Sequence, residues 1–296
     1  MEPSPDVSIE SIGLDASIEK AVQHLWDLDM NRLIPNDEYE INVQRGKKPF
    51  YRGDGAKEPL FKFVDKNVLR RPTYKAFIAL LDNYNADVGE AEEVISEERR
   101  EVSTFLNAIM NTAPMQFCHK YCAANKPDEV PSSRTEFKNL LQKIWFALYK
   151  RARRGRPSSS GFEHVFTGEI KNEEVSGFHN WIQFFIEEQK GSVDYLGYIK
   201  PRSKSAARTD GDDYLLTAQF EWNGVLKKMG TMFLGTSPEF EMALYTLCFL
   251  MGNEENKLDL DTGEEVFVLN IKCFSMAHDK IGTSFPLLLD HYEDEE

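Results

Sequence analysis

The apolar pattern of this chain changes period once, near residue 160, and that change constrains the fold more than any other feature. Before it, apolar residues recur at helical spacing behind capping residues. Ser17 precedes a helical stretch that reaches Trp26, and Pro72 opens another that runs to Leu81. Glu97 to Ala113 and Ser133 to Lys150 supply two more amphipathic helices, and a loop rich in glycine, proline and charge, Asn42 to Glu58, separates the first two. After Gly161 the texture turns to short strands, Tyr195–Ile199, Tyr214–Trp222 and Val266–Ile271, marked by β-branched and aromatic residues or by alternation. Asn223-Gly224 is a two-residue hairpin signal that joins Trp222 to the strand Val225–Met229. Ser237-Pro238-Glu239-Phe240 then opens a helix to about Met251, with proline at its first position and acids in its first turn. The expected fold is α+β: a mainly helical region over residues 1–150, then antiparallel sheets with packed helices over 151–296.

Composition narrows the function classes. With 41% hydrophobic and 28% charged residues the chain reads as an ordinary globular protein, and its 296 residues suffice for a real core. No apolar run is long enough to span a membrane, and the N-terminus lacks the basic and apolar regions of a signal peptide, so an intracellular location is expected. The formal net charge of −14 argues against gripping nucleic acid by bulk electrostatics. Positive charge is nevertheless local, in Lys150–Arg156 and in Lys200–Arg208. Cys118, Cys122, Cys248 and Cys273 are too few and scattered for a disulfide framework. Cys118 and Cys122, with His119 between them, lack the second half of a zinc site and read as packed thiols on a helix. The acidic run Asp259–Glu265 lacks calcium-loop spacing and reads as a turn between a helix and a strand. Nucleotide-binding glycine loops and the GxSxG nucleophile motif are missing, and no heptads argue for an oligomer, so a monomer is expected.

Two of the six histidines stand in matching frames, Gly161-Phe162-Glu163-His164 and Gly177-Phe178-His179-Asn180. Each frame suggests a backbone that must bend, an aromatic anchored in the core and a side chain delivered to a surface. Two imidazoles on facing turns or strands can serve as one proton acceptor and one proton donor. Spacing alone leaves open the reading of each as a satisfied structural histidine.

Residues 159–169, SSGFEHVFTGE, followed by GFHNW at 177–181 and SPEFEMALYTLCF at 237–249, resemble the EndoU family of uridylate-specific endoribonucleases. The resemblance is close over the second half and looser over the helical first half, and it implies one EndoU-type unit. It also implies ribonuclease chemistry on single-stranded, uridine-containing RNA. One histidine takes the proton of the ribose 2′-hydroxyl, the other protonates the departing 5′-oxygen, and a lysine stabilises the phosphorane, which leaves a 2′,3′-cyclic phosphate and makes the enzyme formally a lyase. His164 and His179 match the histidine positions. For the lysine, Lys227 and Lys228 compete, and strand alternation lets only one point into a site. Lys227 is favoured because it stands four residues before Thr231, similar to the lysine and uracil-contacting hydroxyl of the viral members.

Glu163 and Glu169 match the family's acidic positions; Glu163 is expected to orient the His164 imidazole or to raise its pKa, and Glu169 to help hold a divalent ion. The resemblance implies manganese dependence, with calcium as the other candidate ion, but no ligand can be named from the sequence. Ile281-Gly282-Thr283-Ser284-Phe285-Pro286 is similar to a segment where the family carries tyrosine at the position of Phe285. Phe285 keeps the ring face for stacking and loses the hydroxyl, which puts full uracil selectivity in doubt; Thr231 and Thr283 are candidates for reading the uracil edge. Two rival readings stay open: a non-catalytic RNA-binding module on the same fold, and a phosphodiesterase that activates water with metal.

Overall fold

The computed structural model describes residues 12–51, 53–84, 86, 95–150, 157–200, 214–277 and 279–289. The helical spacing of the first half becomes α1 (Ile18–Asp27), α2 (Pro72–Ile78), α3 (Ser96–Ile109), α4 (Ala113–Asn125) and α5 (Arg134–Phe146). Ser17 and Ser133 cap α1 and α5, accepting from Lys20 N–H and Glu136 N–H. The helix expected to reach Ala113 stops at Ile109, because Pro114 lacks an amide hydrogen and the chain restarts as α4 around it. Cys118 and Cys122 lie on α4, and all four cysteines are buried and unpaired with one another. The loop from Asn42 is flanked by a small antiparallel pair that the helical reading passed over, β1 (Tyr39–Ile41) and β2 (Phe61–Val64).

The second half carries β3 (Glu169–Lys171) with β4 (Glu174–Ser176), α6 (Trp181–Lys190), β5 (Val193–Tyr198), β6 (Leu215–Trp222), β7 (Val225–Phe233), α7 (Pro238–Met251), β8 (Glu255–Asp261), β9 (Val266–Met276) and β10 (Lys280–Leu288). Two antiparallel three-stranded sheets result, in the orders β5-β6-β7 and β10-β9-β8. Asn223 and Gly224 both take positive φ (52° and 77°), as the predicted hairpin turn requires. The Asp259–Glu265 run is a turn, but one between strands β8 and β9 rather than between helix and strand: Asp261 Oδ1 accepts from Gly263 N–H at 2.8 Å.

Helix α7 organises the packing. Its sequence is apolar nearly all round, and every residue from Pro238 to Cys248 is buried. Trp145 Nε1 of α5 donates to Thr246 Oγ1 of α7 at 2.9 Å, and a single apolar cluster runs from Ala21 to Ile281 through both halves. Gln23 of α1 seals the edge of β8 by accepting from Asp261 N–H and donating to Asp261 C=O, both at 2.9 Å. Among the described residues no helix is long and apolar enough to cross a membrane. The basic stretches beyond Lys150 and beyond Lys200, residues 151–156 and 201–208, lie outside the described residues.

Candidate active site

The two histidine frames meet. After Gly161, residues Glu163–Thr167 form one π-helical turn, closed by Gly168 N–H donating to Glu163 C=O at 2.8 Å. This turn faces the Gly177–His179 segment: His164 C=O accepts from Phe178 N–H at 3.0 Å, and Val165 C=O accepts from His179 N–H at 2.8 Å. Gly177 and Phe178 both adopt positive φ, 65° and 64°. A Cβ on Gly177 would stand 1.8 Å from His164 O, so only glycine lets the two turns approach. Both imidazoles are buried in the walls of the junction rather than delivered to open surface, because each is held from behind through its ring nitrogen.

The holding groups differ. His164 Nδ1 bonds Glu169 Oε2 at 2.7 Å, and both side chains are buried. His179 Nδ1 bonds the main-chain oxygen of Thr231 at 3.0 Å. Glu163, expected to orient His164, instead caps its own turn: Glu163 Oε2 accepts from Ser160 N–H, and Glu163 N–H donates to Ser160 Oγ, both at 3.2 Å. The acid on the imidazole is Glu169, five residues on, because β3 swings it back beside the π turn.

Strand β7 carries both candidate lysines. Lys227 is 3% exposed, while Lys228 is exposed and paired with Glu174 of β4 at 2.9 Å. The four-residue spacing to Thr231 does not put both side chains on one face. Phe220 opposes Lys227 and Ala218 opposes Gly230, so β7 holds one residue more than β6 between those pairs. The extra residue turns Thr231 to the side of Thr217, whose Oγ1 lies 2.9 Å from its own. Lys227 runs instead over Gly230, where a Cβ would meet lysine Cε at 3.4 Å.

β10 supplies the remaining wall. The Phe285 ring stacks on His179 with centroids 4.5 Å apart and planes 12° from parallel. Thr283, two residues earlier on the same side of the strand, has a buried hydroxyl without a hydrogen-bond partner among the described residues. Sequence reasoning missed several supports. Ser160-x-x-Glu163 is a capping box that could have been read. Asn180 caps α6 through Oδ1, accepting from Ile182 N–H (3.0 Å) and Gln183 N–H (3.1 Å), and its Nδ2 donates to Glu241 Oε1 at 3.1 Å. Nothing local in the sequence announces that last bond. Burial, with the charge of Asp29 adding to it, pushes the Glu241 carboxyl up to about 8 against the pull of its bonds from Thr236, Tyr245 and Asn180.

Among the described residues no three His, Cys, Asp or Glu side chains converge as a metal ligand set, and the Glu169 oxygen nearest the site is engaged with His164.

The sequence profile of the family described as Endoribonuclease XendoU matches residues 17–286. Uridylate-specific endoribonuclease B of Danio rerio is 42% identical over 280 residues, which cover 92% of this chain and 96% of that one. Poly(U)-specific endoribonuclease of Xenopus tropicalis is 42% identical over 286 residues, covering 94% and 95%. The solved structure of XendoU, described as a splicing independent snoRNA processing endoribonuclease, superposes with a TM-score of 0.78 at 40% identity, over 94% of this chain and 99% of that one. An α+β chain matched over nearly its whole length by such relatives and by the family profile belongs to the XendoU endoribonuclease family.

Proposed function

We propose that this chain is a uridylate-specific endoribonuclease that cuts single-stranded RNA through the ribose 2′-hydroxyl and leaves a 2′,3′-cyclic phosphate. The names of its relatives support the substrate class. The observation that carries the chemistry is that two imidazoles on hydrogen-bonded turns are held at Nδ1 by different kinds of oxygen, a carboxylate and a carbonyl.

A carbonyl at Nδ1 accepts a hydrogen bond from the ring N–H but adds no charge, so it fixes the neutral tautomer whose Nε2 is basic. His179 therefore takes the 2′-hydroxyl proton as that oxygen attacks phosphorus. A buried carboxylate at Nδ1 stabilises the imidazolium. His164 therefore delivers its proton to the 5′-oxygen as the P–O5′ bond breaks. The two proton transfers balance, and exchange with water resets both rings. Lys227 places a cation where charge develops on the phosphorane oxygens. Phe285, parallel to His179, offers its other edge and face for stacking a base or sugar, and the Thr283 hydroxyl is the candidate donor or acceptor for the uracil edge. Dependence on manganese, or on calcium, is a separate part of the proposal with no ligand assigned and no step routed through it.

The test is incubation with a short single-stranded RNA containing one uridine, with manganese, with calcium and with chelator, resolving product length and end chemistry. Cleavage 3′ of uridine with a cyclic phosphate end is expected. Linear phosphate ends from the outset, or intact RNA in every condition, would overturn the reading.

A further inference from the structure

The loop rich in glycine and charge between β1 and β2 holds the most exposed aromatic of the described residues, and the proposed chemistry does not use it. Phe50 is 75% exposed and Tyr51 54%. A single exposed apolar side chain is ordinary, whereas adjacent exposed aromatics rimmed by polar residues mark an interaction surface. Here they sit in a segment that is locally basic although the chain is acidic: Arg45, Lys47, Lys48 and Lys57 stand against Asp54 and Glu58, and Asp54 is engaged in its own turn, accepting from Ala56 N–H at 2.8 Å. Lys48 Nζ lies 5.6 Å from the Phe50 ring centroid and Lys47 Nζ 5.9 Å from that of Tyr51.

The loop is built rather than loose. Lys47 N–H donates to Tyr198 C=O, Lys200 N–H to Lys47 C=O and Gly55 N–H to Leu196 C=O, all at 2.9 Å, which ties it along β5. Lys47 Nζ donates to Gly53 C=O at 2.8 Å and closes the turn. The buried Gln219 amide then links loop and site, because its Nε2 donates both to Pro49 C=O at 3.1 Å and to Lys228 C=O at 3.0 Å. Phe50 and Tyr51 follow Pro49 directly, so they are within about 7 Å of chain from an anchor shared with the neighbour of Lys227.

We infer that the segment Lys47–Tyr51 is a second contact for single-stranded RNA, on which bases flanking the cleaved linkage stack against Phe50 and Tyr51 while Lys48 meets a backbone phosphate. This rests on the ribonuclease reading for the identity of the ligand, but its test does not require cleavage. Stacking is sequence-tolerant, so the loop contributes affinity and length dependence, and uridine choice stays with the site.

The experiment measures binding of the full chain to a labelled ten-nucleotide RNA whose one uridine lacks its 2′-hydroxyl, alongside kcat/KM on a cleavable ten-mer and on a uridine-containing dinucleotide. Phe50→Ala/Tyr51→Ala is expected to weaken ten-mer binding by about tenfold or more and to lower the ratio of ten-mer to dinucleotide kcat/KM similarly, with Tm unmoved. Lys48→Gln is expected to lower the slope of log affinity against log salt by about 0.7. Unchanged affinity in the aromatic variant overturns the inference and leaves the ribonuclease reading intact. An equal loss on ten-mer and dinucleotide also overturns it, placing the loop inside the site. Binding that depends on the loop in a parent protein that cuts nothing would sustain the inference and sink the ribonuclease reading.

Discussion

The two histidine frames look alike in sequence and are built in opposite ways. Gly161-Phe162 is helical, and Phe162 anchors in the helical half, stacked on Phe146 with centroids 4.9 Å apart and packed against Phe77 and Phe105. Gly177-Phe178 is a left-handed turn, and Phe178 anchors in the sheet half, against Phe220 and Trp222. Each phenylalanine thus pins its histidine to a different half, and the site lies where the halves are hydrogen-bonded together. The pattern Gly-Phe-x-His and Gly-Phe-His told of a bending backbone and an anchored aromatic; it could not tell which backbone would supply the bend or that the two turns would meet. The holding groups diverge as well, a carboxylate for His164 and a carbonyl for His179, and in the proposed mechanism that divergence separates acid from base.

The bluntest way to break the comparison is to remove the rings. His164→Ala and His179→Ala are each expected to lower kcat by at least about a hundredfold, up to ten-thousandfold, since each removes a proton-transfer partner. Single-turnover cleavage of a uridine-containing RNA measures it, and near-parental rates in either variant would remove that histidine from the chemistry. Next in size, Glu169→Gln keeps the shape at His164 and removes the charge. It should lower kcat on the order of a hundredfold and move the alkaline limb of the pH–rate profile to lower pH, because the imidazolium loses its counter-charge. Glu163→Gln alters the cap of the turn and leaves the Glu169 carboxylate on His164, so less than about a tenfold loss is expected, with the limb in place. If the two glutamine variants behaved alike, the assignment of Glu169 rather than Glu163 to His164 would fail.

Glycine substitution sharpens the backbone half of the comparison. At Gly177 a methyl meets His164 O at 1.8 Å at φ +65°, and at Gly161 it meets Ile281 O at 2.7 Å in helical backbone. Gly177→Ala is expected to cost about 3 kcal/mol by denaturant unfolding and to misplace both rings, and Gly161→Ala to cost less. Equal costs would mean that the left-handed turn is not what holds the rings together.

Much of this was legible before any coordinates. Helix starts at Ser17, Pro72 and Ser237, the Asn223-Gly224 turn and the change of period near residue 160 are all local, and local chemistry fixed them. Alternation said that only one of Lys227 and Lys228 could turn inward, and Lys227 is the buried one, although the four-residue spacing to Thr231 that favoured it is broken by the bulge. What was not legible depended on counting across strands. The extra residue in β7, which parts Thr231 from Lys227, exists only relative to β6, and no feature of Lys228-Met229 announces it. Glu169 reaches His164 because β3 turns back, and Asn180 reaches Glu241 because the N-terminal ends of α6 and α7 meet; both are facts of packing between segments far apart or bent in space.

That last contact gives the finest test, since it attaches only the His179 frame to the central helix. Glu241 has its carboxyl pushed up from 4.5 to about 8 by burial, with the charge of Asp29 adding to it. Between those values the folded chain keeps a proton that the unfolded chain has released, so the unfolded state binds fewer protons and stability falls as pH rises through the window. Asp29, pushed up from 3.8 to about 7 by burial and by neighbouring Glu239, acts in the same direction over a lower range. Glu241→Gln removes one of the two titrations and retains an acceptor oxygen for Asn180 Nδ2. Its Tm should therefore decline less steeply than that of the parent between pH 5 and pH 8, with the difference widest toward pH 8. A parallel decline would mean that Glu241 is already ionised in the fold at neutral pH, held by Thr236, Tyr245 and Asn180 as a buried anion. The His179 frame would then rest on a charge, as the His164 frame does, and the contrast between the two would narrow to the single oxygen that each imidazole touches.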